Sequence, residues 1–205
     1  MSFIRNLFAL IGVLALLAAG VGYVKYGKLL GQMSSMSADL AVFDQFDPKA
    51  REVYTDMWQK LKATGISADA TVWKVSLADG VSPADAEESM KLAANEHNIK
   101  AVGELPLSEQ VALETGKPQR LLKIFQYCNP QTAMLMVDYS DAFSAYLPCR
   151  VALVQDKAGK YHLYSLNMDM MIYGGKALPP ELNAEAVKVK TIIQDIMKRG
   201  AAGDL

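Results

Sequence analysis

Apolar positions follow three different spacings along this chain, and each spacing predicts a different kind of segment. From Leu7 to Val24 the run is unbroken: eighteen uncharged residues, LFALIGVLALLAAGVGYV, with Arg5 on one side and Lys25 and Lys28 on the other. At about 1.5 Å per residue a helix of that length covers roughly 27 Å, close to the ~30 Å hydrocarbon thickness of a bilayer. Residues 7–24 are therefore expected to enter lipid. The competing reading is a cleaved signal peptide, with Ala18, Ala19 and Gly20 as the cleavage site. Charge barely orients the segment, because the amino terminus and Arg5 balance Lys25 and Lys28. A short tail before one apolar stretch usually exports the C-terminal part of a chain, so the expected location is a single pass through a bacterial inner membrane with that part in the periplasm. The spacings from Ala15 to Ala19 and from Ala18 to Gly22 suit close approach of a second membrane helix, the alternative being simple lipid-facing anchoring.

The second spacing is helical. Asp47-Pro48 reads as an N-cap and first turn, followed by Ala50, Val53, Tyr54, Met57, Trp58 and Leu61 on one stripe and closed by Gly65. Ser82-Pro83 opens another helix with Ala86, Met90 and Ala93 inward, ending near His97. Asn129 caps a third, with Pro130 at its first position, running to about Tyr139. A last one carries Leu182, Ala186, Val189, Ile192, Ile193 and Ile196 on one face and is expected to stop at Gly200.

The third spacing is that of strands. Thr71 to Leu77, Ile99 to Leu107 with Pro106 interrupting it, and Arg120 to Cys128 read as strands, the last as a buried one, with a short helical turn before Gly116. Arg150 to Asp156 and Lys160 to Leu166 flank Lys157-Ala158-Gly159, a connection suited to a bulged antiparallel hairpin. Strands and helices mix without strict alternation. The fold expected is α+β, a small two-layer sandwich of mainly antiparallel sheet with helices on one face, preceded by one N-terminal transmembrane helix. The organisation expected is an anchor at 1–28, a juxtamembrane stalk at 29–46 and an exported domain at 47–205.

Charge narrows the partners. The 205 residues are 51% apolar and 21% charged, enough for one globular domain and little more. The first 28 residues hold three basic groups and no acid, leaving 18 basic against 22 acidic in the body. An acidic body argues against nucleic acid as a partner.

Chemistry concentrates on sulfur. Only Cys128 and Cys149 are present, twenty-one positions apart. In an oxidising compartment such a pair can form a disulfide, worth about 3 kcal/mol for a loop of this size. Alternatively Cys128, just before the Asn129-Pro130 helix start, is a functional thiol with a lowered pKa, or the two are unrelated buried cysteines. Arg150 follows Cys149 and could hold a thiolate or an anionic sulfur compound, although strand alternation sends it to the opposite face. Eleven methionines include Met168, Met170 and Met171 in a cluster, and Met134 and Met136 on the helix after Cys128. Thiolate and thioether together suit Cu(I), with Cys128, Cys149, Met168 and Met170 as the candidate ligands. Ordinary core filling is the competing reading, with Met168 and Met170 alternating onto one face of a strand. His97 and His162 have no partner at metal-ligand spacing and read as structural. Phosphate loops, G-x-S-x-G, H-E-x-x-H, C-x-x-C and C-x-x-C-H are all absent from the sequence.

Tyr127-Cys128-Asn129-Pro130 with Ala133, and then Leu147-Pro148-Cys149-Arg150-Val151, resemble the paired CNP and LPC motifs of the bacterial family called domain of unknown function 302. The segment VGELPLSEQVA and the closing helix fit as well, so the resemblance spans about Val72 to Met197, and NMDMMIYGGKALPPEL is similar to membrane-anchored members. The resemblance implies a small α+β sandwich, often a homodimer, with Cys128 and Cys149 as spatial neighbours, and it carries no settled activity. The function expected is a membrane-tethered, periplasm-facing binding or accessory domain, a candidate subunit of a membrane complex. The alternatives are a thiol redox or sulfur-handling protein with Cys128 as nucleophile and Cys149 as resolving partner, and a copper-binding protein.

Overall fold

The computed structural model describes residues 41–204 together with Gly12, Gly20 and residues 25–27. The expected membrane segment at 7–24 lies outside the described residues apart from the two glycines. Among the described residues no helix is long and apolar enough to cross a membrane. The chain divides into two compact units, Met1–Phe46 and Asp47–Leu205. In the first, part of the expected stalk forms a 3-10 turn, Val42–Gln45, and the Phe43 and Phe46 rings meet edge to face at 5.8 Å.

The second unit begins with α1 (Ala50–Thr64) and a short α2 (Ser67–Ala70), followed by β1 (Val72–Ser76), α3 (Pro83–Glu96), β2 (Lys100–Leu105), α4 (Leu107–Thr115) and β3 (Leu122–Cys128). Then come α5 (Pro130–Tyr139), a 3-10 turn (Asp141–Tyr146), β4 (Cys149–Gln155), β5 (Tyr161–Leu166), α6 (Asp169–Tyr173) and α7 (Pro180–Ala202). The strands form one sheet in the order β1-β5-β4-β3-β2, every pair antiparallel. The unit is α+β.

Local chemistry accounts for most boundaries. Ser82 accepts from the Asp85 amide while the Asp85 carboxylate accepts from the Ser82 amide, a reciprocal cap that starts α3. Asn129 Oδ1 accepts from the amides of Gln131 and Thr132 and starts α5. Gly159, at φ 84°, closes the β4–β5 hairpin in a conformation that side chains other than glycine adopt at a cost. The expected cap at Asp47 falls one turn early: Asp47 Oδ1 accepts from the Lys49 amide, and α1 proper begins at Ala50.

One sheet face packs against α3 and α7. Phe125, Val151, Leu153 and Leu163 lie on it with Met90, Ile193 and Ile196 above, all at most 2% exposed. Each such side chain contributes about 1.5–3 kcal/mol by leaving water. β3 is therefore buried on this face only, at Phe125 and Tyr127, with the rest of the strand half-buried, and not throughout its length as its apolar run suggests. The last helix likewise runs past Gly200 and ends at Gly203, in the left-handed region. Gly200 is a packing residue: a Cβ there would lie 2.4 Å from Met90 Cγ and 3.2 Å from Leu163 Cδ1. Its missing side chain lets α7 settle onto α3 and β5. The opposite sheet face carries an open cleft of about 440 Å³ bordered by Val72, Ile124, Ala152, Tyr164 and Leu166.

Candidate functional site: a sulfur-lined cavity

The end of β3 and the start of β4 form one wall of a small apolar cavity. Register pairs Cys149 with Tyr127, so alternation alone would turn Cys128 and Cys149 to opposite faces. Cys128 is the last residue of β3, where the chain leaves the sheet for the Asn129 cap, and both cysteines border the same space. Pro130 fills the first helical position and α5 supplies Met136, one turn beyond Thr132 and 6% exposed. The Leu147–Pro148 peptide is cis where the chain enters β4.

The methionines after β5 stand differently from the strand expected of them. Asn167 Oδ1 accepts from the Asp169 amide and opens α6, so the spacing that matters is helical. Met168 and Met171 border the cavity; Met170, 40% exposed, faces away from it into a separate depression beside Met57. Two thiols and three thioethers, from Cys128, Cys149, Met136, Met168 and Met171, thus line one space of about 30 Å³. That is about the volume one water occupies in the liquid, too little for an organic ligand. Met136 and Met171 are the ligand candidates that sequence reasoning misses. The signal for them is helical phase, Thr132 to Met136 at four residues and Met168 to Met171 at three.

Both cysteines carry free thiols, with no bond between them. The expected lowering of the Cys128 pKa by the helix start does not hold. Burial pushes the Cys128 thiol up. Burial and the neighbouring Cys128 together push Cys149 up to about 11, against smaller opposing pulls from a backbone hydrogen bond and from Arg150. Desolvation outweighs the dipole at Cys128, and at Cys149 it outweighs the weaker donor and charge that oppose it. Arg150 pairs with Gln126 on the other face and is exposed; its Nε donates to the Pro148 carbonyl at 3.4 Å. Tyr127, which also borders the cavity, is 1% exposed with an unpartnered hydroxyl, and burial raises its pKa well above the ordinary phenol value.

The histidines have partners that the sequence could not supply. His97 Nε2 meets Asp195 Oδ2 at 2.7 Å, joining α3 to α7. His162 lies between Ser76 and Asp156 on the open side of the sheet. Among the described residues no three His, Cys, Asp or Glu side chains group as metal ligands, so any metal here depends on thioethers as well.

A small α+β sandwich with an antiparallel sheet and one sulfur-lined cavity at a strand end is the class of domain defined so far. The family model "Domain of unknown function DUF302" matches residues 73–200, and the chain belongs to that family. The crystal structure of an uncharacterized conserved DUF302 protein from Bacillus stearothermophilus is similar in fold at a TM-score of 0.51 and 15% identity. The match covers 63% of this chain and 97% of that one. No curated protein matches.

Proposed function

We propose that this DUF302 domain is a binding module for a soft metal ion, Cu(I), held by Cys128 and Cys149 with thioethers from Met136, Met168 and Met171. The observation that carries the reading is the convergence of five sulfur side chains from β3, α5, β4 and the α6 segment on one ion-sized apolar space. Soft sulfur donors favour Cu(I) over the harder divalent ions. A bound cation would replace the thiol protons, since metal-coordinated thiols are deprotonated outright. For Cys149, at about 11, losing its proton at pH 7 costs roughly 5 kcal/mol. The metal must supply that, and it selects against weak binders. A thiol redox role draws no comparable support, because both thiols are raised rather than lowered.

The proposal includes a tether. The 7–24 run supports a single inner-membrane span, and the short tail before it supports placing the domain in the periplasm, where copper enters the envelope. An alkaline phosphatase fused after Leu205 is expected to be active, and an inactive fusion would contradict that orientation.

The metal is tested on the full-length chain in detergent by competition with bathocuproine disulfonate under reducing conditions. One Cu(I) per chain is expected, with both thiols lost to Ellman's reagent on loading. Equal copper retention by a Cys128→Ser, Cys149→Ser double variant would sink the reading.

A further inference from the structure

We propose that Ser76, His162 and Asp156 form a second, hydrolytic site on the open sheet face, acting on carboxylic esters with a short apolar acyl group. Ser76 and His162 are direct partners across β1 and β5. The Leu77 amide donates to the Tyr161 carbonyl, so Ser76 and His162 fall in the narrow, non-hydrogen-bonded position of the ladder, where Cα atoms approach to about 4.5 Å. Ser76 Oγ lies 3.0 Å from His162 Nδ1, and His162 Nε2 lies 2.9 Å from Asp156 Oδ2. Nucleophile, base and orienting carboxylate are thus in hydrogen-bond sequence.

The protonation states are set by the surroundings. The hydrogen bond from His162, then those that the Lys160 and Ala158 amides donate to Oδ1, hold the Asp156 carboxyl at about 2. An ionised carboxylate only accepts, so Nε2 carries a ring proton, and in the neutral imidazole Nδ1 presents its lone pair to the Ser76 hydroxyl. Only Oδ1 is needed to close the hairpin turn. The other oxygen, and an imidazole 5% exposed, are arranged toward an exposed serine.

Substrate would lie along the same face. His162, Tyr164 and Leu166 succeed one another there, about 7 Å apart, and lead from the relay into the apolar cleft. The rings of His162 and Tyr164 are 6.1 Å apart, and Lys74, the cross-strand partner of Tyr164, carries its ammonium 5.5 Å from that ring. β1 is an outer strand, and the ladder phase directs the Ser76 amide away from β5. That amide and Lys74 are the donors on hand for an oxyanion.

In the reaction Ser76 Oγ bonds to the acyl carbon as its proton passes to Nδ1. The bond from carbon to the alcohol oxygen breaks, and the departing alkoxide takes that proton. Water then attacks acyl-Ser76 by the same route, releasing the carboxylic acid and restoring the hydroxyl. Ser76 and His162 are the catalytic residues and Asp156 a positioning residue.

The probes are p-nitrophenyl butyrate and a fluorophosphonate, applied to the full-length chain. Release of p-nitrophenol above the solution rate is expected, with the fluorophosphonate on the peptide containing Ser76. Ser76→Ala should abolish both while leaving the melting temperature and Cu(I) stoichiometry unchanged. Asp156→Asn should slow hydrolysis by at least ~100-fold. Absence of label on Ser76, or hydrolysis by Ser76→Ala at the unsubstituted rate, would overturn the proposal. Neither result bears on copper, so the two readings fail separately.

Discussion

The sulfur-lined cavity and the Ser76–His162–Asp156 cluster stand on the same five-stranded sheet and treat ionisable groups in opposite ways. At the cavity, Cys128 and Cys149 lose water and gain too little in its place, so the proton-bound form wins. At the cluster, Asp156 gains two backbone amides and an imidazole, so the charged form wins. Burial decides the first outcome and hydrogen bonding to the charged form decides the second. A neutral, soft-lined space suits a cation that brings its own charge, whereas a hydrogen-bonded chain with a fixed tautomer suits proton transfer.

That contrast can be broken from the cavity side with the largest effect. Replacing Cys128 and Cys149 together by serine should weaken Cu(I) binding by more than about a thousandfold, since hydroxyl is a poor ligand for a soft ion. The pH dependence comes next. If two thiol protons leave on binding, Cu(I) affinity should rise up to about a hundredfold per pH unit between pH 6 and 8, measured by competition titration at each pH. At the cluster the quantity that depends on pH is folding stability, and it too rises with pH, in a more acidic window. Asp156 has a folded-state pKa below its unfolded one, so its stabilisation is full above about pH 4 and is lost as pH falls toward 2. Asp156→Asn should flatten the acid limb of the melting curve in that window and leave the alkaline limb unchanged.

Packing predictions are smaller. Gly200→Ala forces its Cβ onto Met90 and should destabilise the domain by about 1–3 kcal/mol in urea unfolding. Asn129→Ala removes the acceptor for two α5 amides and should cost about 1 kcal/mol, with a drop in copper affinity if α5 carries Met136 out of place. The smallest effect is the most discriminating. Met170→Leu should leave Cu(I) binding unchanged, whereas Met171→Leu should weaken it severalfold.

Local signals in the sequence are legible where a residue contacts its own backbone neighbours. Ser82-Pro83, Asn129-Pro130 and the glycine closing Lys157-Ala158-Gly159 each satisfy nearby amides or carbonyls, and no distant partner is needed to see it. Gly200 reads as a helix stop from its neighbours alone, yet its role is set by Met90 and Leu163, 110 and 37 residues away. Met168 and Met170 take strand spacing only when the side-chain turn made by Asn167 just before the helix is overlooked, and that one feature changes the period from two to about 3.6. The meeting of Ser76 with His162 has no local signal, since it depends on the register between two strands 86 positions apart. The two cysteines illustrate the intermediate case: the CNP and LPC motifs point to them together, but strand alternation from the Tyr127–Cys149 pairing would separate them.

The most direct test concerns the atoms around a copper ion added to this protein. X-ray absorption at the copper edge of the full-length chain, loaded with one equivalent of Cu(I), should show a first shell of sulfur alone, reduced in number by Met171→Leu and unaltered by Met170→Leu. A first shell containing nitrogen or oxygen, or copper that washes out of the unsubstituted protein, would contradict a sulfur-only site.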